Sequence, residues 1–304
     1  MENKIIVNSN REHDEYQYLE LISNIILNGE RRSSRNGSTL SIFGEKLVFH
    51  VSIQGFPIIT TKKVFWRGIV EELLWFLRGS TDVSELQSKN IHIWDANSTR
   101  EFLDSVGLPN TPANQIGAGY GYQWRCFGGD YPSRENGIDQ LKFILNELST
   151  NPHGRRAVLS AWNPKQLSQA ALPPCHFTYV FYINANGLSC QMQMRSCDVC
   201  AGLPFNIAST ALLTSILAHV LRIRVDRIII ITGDTHIYES HTENTMIQID
   251  RDPYPFPKLN ITKEPPTIDS TIDEKIKWIE SLEFTDFTLE NYKYHPSISF
   301  PMVA

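Results

Sequence analysis

The segment Ile207–Leu221 is apolar nearly all round its helical circumference, so no face of it favours water. Such a helix must be enclosed on every side, and the rest of the chain has to supply the layers that enclose it. Arg227–Thr232 (RIIIIT) reads as a fully buried strand. Thr178–Ile183 and Leu188–Arg195 flank Asn186-Gly187, the strongest short hairpin signal. In the second of these strands Cys190, Met192 and Met194 share one face, and Gln191, Gln193 and Arg195 share the other. Tyr16–Asn28 and Val64–Leu77 have helical apolar spacing, with stops at Gly29 and Gly79. Arg31–Ser38 reads as a loop, Thr39–Ile53 as strand around a Gly44 turn, and Ala157–Trp162 as a short buried strand. Pro253, Pro255 and Pro257 impose an extended segment, and Glu264–Lys277 reads as a polar surface excursion. Helices and strands mix without regular βαβ alternation, so the fold class is α+β.

The 304 residues carry a net charge of −5. That argues against nucleic acid as the main partner, which needs a basic surface. It leaves room for a small phosphorylated ligand held by a few local arginines. No apolar run reaches membrane-spanning length, and the N-terminus lacks a signal-peptide pattern. The expected location is therefore the cytoplasm, or else the nucleus, with no membrane partner. Five cysteines, an odd number in a large chain, speak against a disulfide framework.

Several polar residues stand where chemistry is plausible. Cys175 follows two prolines and precedes His176. A thiolate is a strong nucleophile, but it needs a nearby cation, and a lone cysteine is more often packed core. In a strand His176 would point away from Cys175. Arg35, Arg155, Arg156 and Arg195, with Ser196, offer forks and a hydroxyl suited to a phosphate. Singly, each arginine is as readily a solvated one. Asp198 suits a turn cap. Asn206 reads either as a helix N-cap or as an amide whose acceptor and donors match the N3–H and O4 edge of uracil. His236 and Tyr238 alternate onto one face, within reach of a sugar hydroxyl. Glu72 sits in an apolar helix; if it rather than Glu71 faces inward, burial raises its pKa and suits it to proton transfer. Tyr120 is a phenol in a glycine-rich aromatic stretch. Cys197-x-x-Cys200 has no second pair, so no metal is expected.

Seven motifs occur in order: Glu72–Phe76 (ELLWF), Ile93–Asn97 (IWDAN), Tyr120–Arg125 (YGYQWR), Pro173–His176 (PPCH), Arg195–Asp198 (RSCD), Gly202–Ser209 (GLPFNIAS) and Gly233–Tyr238 (GDTHIY). Over Glu15–Ala304 the chain closely resembles the folate-dependent thymidylate synthase family. The resemblance implies a single α+β domain, 15–304, on a large mixed sheet, with 1–14 as an N-terminal extension. It implies a homodimer that converts dUMP to dTMP with 5,10-methylenetetrahydrofolate as one-carbon and hydride donor. Cys175 matches the nucleophile that adds to uracil C6, and Glu72 and Tyr120 match the proton network. Asn206 matches the uracil-reading amide. Arg35, Arg195 and Ser196 match phosphate ligands, Cys197 and Asp198 adjoin them in the dUMP site, and His236 and Tyr238 match the sugar contacts. Arg155 and Arg156 match the pair that completes the partner's site. Trp94, Asn97, Asp198, Gly202, Phe205 and Val303 match folate-pocket positions, the last in a closing tail, Phe300–Ala304.

Some positions depart from the family pattern, among them Cys126, Gln193-Met194, Cys197 and Cys200-Ala201, which marks a divergent member. The alternatives are a dUMP hydroxymethylase of the same superfamily, a non-catalytic nucleotide- or RNA-binding relative, and a Cys/His hydrolase. Asn206 favours uracil over cytosine, and Trp94, which keeps the intermediate dry, favours methylation over hydroxylation. No triad pattern supports a hydrolase.

Overall fold

A computed structural model describes residues 12–34 and 37–301. Among them, seven strands form one mixed sheet: β1 (Glu30–Ser34), β2 (Gly37–Phe43), β3 (Lys46–Phe49), β4 (Val158–Ser160), β5 (His176–Asn184), β6 (Gly187–Asp198) and β7 (Val225–Tyr238). The order is β1-β2-β7-β6-β5-β4, with β3 also beside β7; β6 and β7 run parallel and the other pairs antiparallel. This is the α+β arrangement with a large mixed sheet that the family resemblance implies.

The expected hairpin joins β5 to β6, but its turn is Ala185-Asn186, one residue before the Asn186-Gly187 pair expected, with Gly187 already paired opposite Asn184 as the first residue of β6. Gly187 has φ +135°, and a Cβ there would stand 2.1 Å from the Arg224 carbonyl oxygen, so no larger residue fits. The alternation along β6 is as expected: Cys190, Met192 and Met194 are buried while Gln191, Gln193 and Arg195 are not.

The helix Gly202–Val220 crosses from β6 to β7 and packs on the buried sheet face. It is enclosed as its sequence demands, yet it starts earlier than the apolar run. Asn206 is inside its second turn rather than at its N-cap, because Pro204 is tolerated in a first turn where no intrahelical N–H is needed. At 19 residues it is long and apolar enough to cross a membrane by length and composition, which corrects the reading that no segment is; most of it is buried in the core. Helix Glu15–Asn28 packs on β2, β3 and β7, and helix Trp66–Leu77 packs on Gly202–Val220 and on helix Tyr120–Cys126.

Four local expectations change. Of the expected loop Arg31–Ser38, the described residues 31–34 and 37–38 are strand, with Arg31 opposite Leu40, because β2 is itself anchored to β7 and tertiary pairing overrides a polar sequence. Gly44 does not fold the chain back: β2 and β3 both pair with β7, so 39–49 is one strand path jogged at Gly44, and Val51–Gln54 is a helical turn. RIIIIT is buried on one face only: Ile228 and Ile230 are enclosed, whereas Ile229 and Ile231 are half-buried. β4 is a three-residue edge strand with Val158 exposed. In the polar excursion, Ile272–Glu280 forms a helix whose Thr271 and Glu274 make a reciprocal capping box, and it buries Ile276.

Candidate active site

Cys175 immediately precedes β5 and is half-buried, so the paired backbone of the sheet fixes it. Its carbonyl accepts the Arg195 backbone N–H at 2.9 Å, tying it to β6. Its own N–H donates to the Tyr120 phenol oxygen at 2.7 Å. The Arg195 guanidinium donates to the carbonyl oxygens of Pro174 (3.0 Å) and Pro173 (2.9 Å), which holds it 3.9 Å from the Cys175 sulfur. It also lies over the Trp162 ring, 5.7 Å from the centroid. The Pro-Pro pair thus aims the guanidinium as well as stiffening the chain. Burial pushes the Cys175 thiol above its ordinary range; Arg195 pulls it down and Asp198 pushes it up. The expected help from Arg195 is present, but desolvation is the larger effect.

The floor beside the sulfur is aromatic. Tyr120 stacks between His176 (4.3 Å between centroids) and Phe76 (5.0 Å) and meets Trp94 edge-on at 6.0 Å. The Trp94 indole N–H donates to Glu72 Oε1 at 2.8 Å. Both carboxylates of this helix face inward, Glu71 the more deeply. Glu71 is buried but paired with Lys89 at 2.7 Å, while Glu72 has only an uncharged donor. Burial raises the Glu72 carboxyl from 4.5 to about 7, against the pull of the Trp94 hydrogen bond. His176 shares a hydrogen bond with the Tyr179 hydroxyl at 2.7 Å, and burial drives its pKa down to about 3. It is a neutral packing partner of Tyr120 and cannot serve as a Cys/His base.

The polar wall comes from the ends of β6 and β7 and the helix between them. Ser196 pairs with Asp234 and Asp198 with His236 in register. Asp198 Oδ1 accepts from the backbone N–H groups of Cys200 (2.9 Å) and Ala201 (3.1 Å), the turn-capping role expected of it. Gly202 leaves a gap there: a Cβ would come to 3.7 Å from Asn206 Oδ1 and 3.8 Å from the Asp198 Cβ. Those two side chains therefore flank one small space, with Phe205 half-buried beside it. His236 shares a hydrogen bond with Asp234 at 2.9 Å and meets Tyr238 edge-on at 5.4 Å, so the alternation holds. Cys197 is fully buried. Asn97 is half-buried just after Trp94, whose carbonyl its N–H reaches at 3.2 Å.

Arg155 and Arg156 are not brought to Cys175 within one chain. They are exposed where the chain enters β4, and Arg156 lies 3.4 Å from Glu147. Arg35 and Val303 lie outside the described residues. Three contributors escaped the sequence reading. Trp162 lies under the guanidinium, and Lys62 and His241 hold the C-terminal segment. Lys62 Nζ sits 4.1 Å from the Phe300 centroid, and His241 Nε2 bonds the Pro301 carbonyl at 2.9 Å. Burial lowers Lys62 to about 8, against the influence of Cys200 and Asp198. Its sequence context, TTKKVF, sets a threonine before it and a second lysine after it and gives no signal for this role.

Comparison with known proteins gives a consistent result. The thymidylate synthase family profile matches residues 16–304. The chain is similar to the thymidylate synthase of Homo sapiens, 44% identical over 298 residues that cover 96% of this chain and 91% of that protein. It is likewise 44% identical over 296 residues to the thymidylate synthase of Equine herpesvirus 2 (strain 86/87), covering 95% and 98%. It is 44% identical over 300 residues to the bifunctional dihydrofolate reductase-thymidylate synthase of Plasmodium chabaudi, of which it spans only about half (49%). The hydroxymethylating alternative finds no support in these relatives.

Proposed function

Because the chain belongs to the thymidylate synthase family, we propose that it converts dUMP to dTMP by reductive methylation, with 5,10-methylenetetrahydrofolate as donor and dihydrofolate as second product. The observation that carries this reading is the Cys175 thiol, 3.9 Å from the Arg195 guanidinium, with its backbone N–H fixed on the Tyr120 phenol and the Glu72–Trp94 pair on the same aromatic floor.

The residues fit a flat, polar-edged donor. Trp94 and Phe205 offer ring faces, and Asp198, with Oδ1 taken by its own turn, keeps Oδ2 for a ring N–H. When bound, the folate supplies the one-carbon unit and the hydride. This chain's residues do the rest. The Cys175 sulfur adds to C6 of the uracil, and the displaced electron pair moves toward C5 and O4. Asn206 reads N3–H and O4. Glu72, with its pKa at about 7, exists in both protonation states near neutrality, so it can pass a proton at O4 and take it back. Tyr120 serves the proton at C5. Arg195, Ser196 and Arg35 bind the phosphate, and His236 and Tyr238 bind the sugar hydroxyl. The docked Phe300–Pro301 segment shields the site from water.

The proposal includes a homodimer in which Arg155 and Arg156 of a second copy complete the site. Its support is the sheet face away from the core. Val158, Val180, Gln191, Ile229 and Val48 stand in register across five strands, and none of them is buried. A mostly aliphatic row on a face that helix Gly202–Val220 does not cover suits burial against a twin.

Mixing the protein with dUMP and methylenetetrahydrofolate tests the reading. dTMP with dihydrofolate is expected. Hydroxymethyl-dUMP with tetrahydrofolate would replace methylation by hydroxylation, and neither product would reduce the chain to a binding protein.

A further inference from the structure

We propose that Asp198, Cys200 and His241 form a site for a borderline-soft divalent cation, Zn2+ by its chemistry, beneath the docked C-terminal segment. One ligand atom from each of the three side chains lies within 4.8 Å of the other two. Cys200 and His241 are both essentially inaccessible, at 0% and 1% exposure. The decisive group is the imidazole. Its Nε2 meets the Pro301 carbonyl oxygen at 2.9 Å, and a carbonyl can only accept, so Nε2 carries the hydrogen. In the neutral ring Nδ1 is then a bare lone pair. It is buried and has no hydrogen-bond partner among the described residues. A histidine that gives one N–H to a backbone carbonyl and leaves the other nitrogen free has the outer-shell arrangement of metal-bound imidazoles.

The donor set selects the metal. One thiolate, one imidazole and one carboxylate make three protein ligands of a four-coordinate zinc site, with a fourth position for water. Magnesium and calcium prefer all-oxygen shells. Zinc bonds of about 2.0–2.3 Å set tetrahedral ligands roughly 3.5 Å apart, which small side-chain rotations reach from the observed spacing. The local backbone already presents the group, because Asp198 Oδ1 takes the N–H of Cys200 and so curls the thiol toward its own carboxylate. On binding, the Cys200 S–H loses its proton to solvent and a sulfur–metal bond replaces it. Thiolate and carboxylate then offset the two positive charges of the metal, and the Lys62 ammonium, which donates to the Cys200 carbonyl oxygen at 2.5 Å, leaves the occupied cluster with one net positive charge. Cys197 takes no part, so this is not the paired-cysteine zinc site that the sequence argues against. Asp198 is also the carboxylate proposed above to take a folate N–H, so cation and folate compete for it; the metal titration is run without folate or nucleotide, and its outcome is therefore read separately from the reaction.

Titration of the full chain, reduced and metal-free, with Co2+ and then Zn2+ tests it. The expected result is one Co2+ per chain with cobalt–thiolate charge-transfer absorption, displaced by Zn2+. Cys200→Ser should abolish that band, His241→Gln should weaken affinity by about 100-fold, and Cys197→Ser should change neither. Wild-type protein without the band overturns the proposal, with no variant needed. So does a band that survives Cys200→Ser and vanishes in Cys175→Ser, which would put the metal on Cys175 instead.

Discussion

Replacing Glu72 by glutamine isolates its ionisation, because an amide oxygen can accept the same Trp94 N–H, now at 2.8 Å, in the same shape. Burial moves this carboxyl from 4.5 to about 7. At about 1.36 kcal/mol per pH unit, a fully enclosed group would cost the native state roughly 3 kcal/mol once ionised. Glu72 is only half-buried, and screening from its open side brings this to about 2 kcal/mol. The native carboxyl keeps its proton to higher pH than the unfolded chain does. Between pH 4.5 and about 7 the native state therefore binds more protons, and wild-type stability falls as pH rises through that window. The glutamine variant has no such slope. Urea unfolding of both proteins at about pH 4.5 and about pH 8.5 should show the variant gaining about 2 kcal/mol on the wild type between the two conditions. A difference that stays constant across the range would refute the claim that this carboxyl is desolvated. Turnover supplies the second readout: if Glu72 moves protons, the variant should lose about two to four orders of magnitude in kcat while still binding nucleotide.

Three further substitutions probe other contacts. Arg195→Gln removes the one cation beside the thiol among the described residues, so the pH midpoint for alkylation of Cys175 by iodoacetamide should rise; an unmoved midpoint means that Arg195 does not act on the sulfur. Tyr120→Phe strands the Cys175 N–H without an acceptor and should cost about 1–3 kcal/mol in urea unfolding, a loss that would be missing if solvent replaced the phenol. Inactive Arg156→Ala and inactive Cys175→Ala chains, mixed and allowed to exchange subunits, should regain activity, because one hybrid site carries both native residues. No recovery, with exchange verified, would count against a shared site.

What the sequence disclosed and what it hid follow one physical division. The all-round apolar helix, the alternation of β6 and the hairpin at Gly187 were legible because each is written in local periodicity. The β1–β2 hairpin was not, since ERRSS carries no apolar pattern and becomes a strand only because β2 is already paired to β7. Glu15 was invisible for a related reason. Its carboxylate is wholly buried and accepts hydrogen bonds from the backbone N–H groups of Thr60 and Thr61, partners more than forty residues away. In the site, the order of motifs named Cys175, Glu72, Tyr120 and Asn206, yet their environments needed coordinates. Nothing in PPCH says that two proline carbonyls will carry the guanidinium of Arg195, or that His176 will be spent on stacking.

Those environments share one electrostatic character. Burial pushes the Cys175 thiol and the Glu72 carboxyl toward their protonated forms and the His176 ring toward its deprotonated form, so all three favour neutrality at rest. The Arg195 guanidinium donates to backbone carbonyls and the thiol, and it pairs with no carboxylate among the described residues. It remains available to an anion that arrives from outside, and it stands 3.9 Å from the sulfur that must become one. In the proposed reaction such a pocket would hold its nucleophile in reserve until a phosphorylated pyrimidine brought both the anion that the guanidinium lacks and the carbon that the thiol attacks.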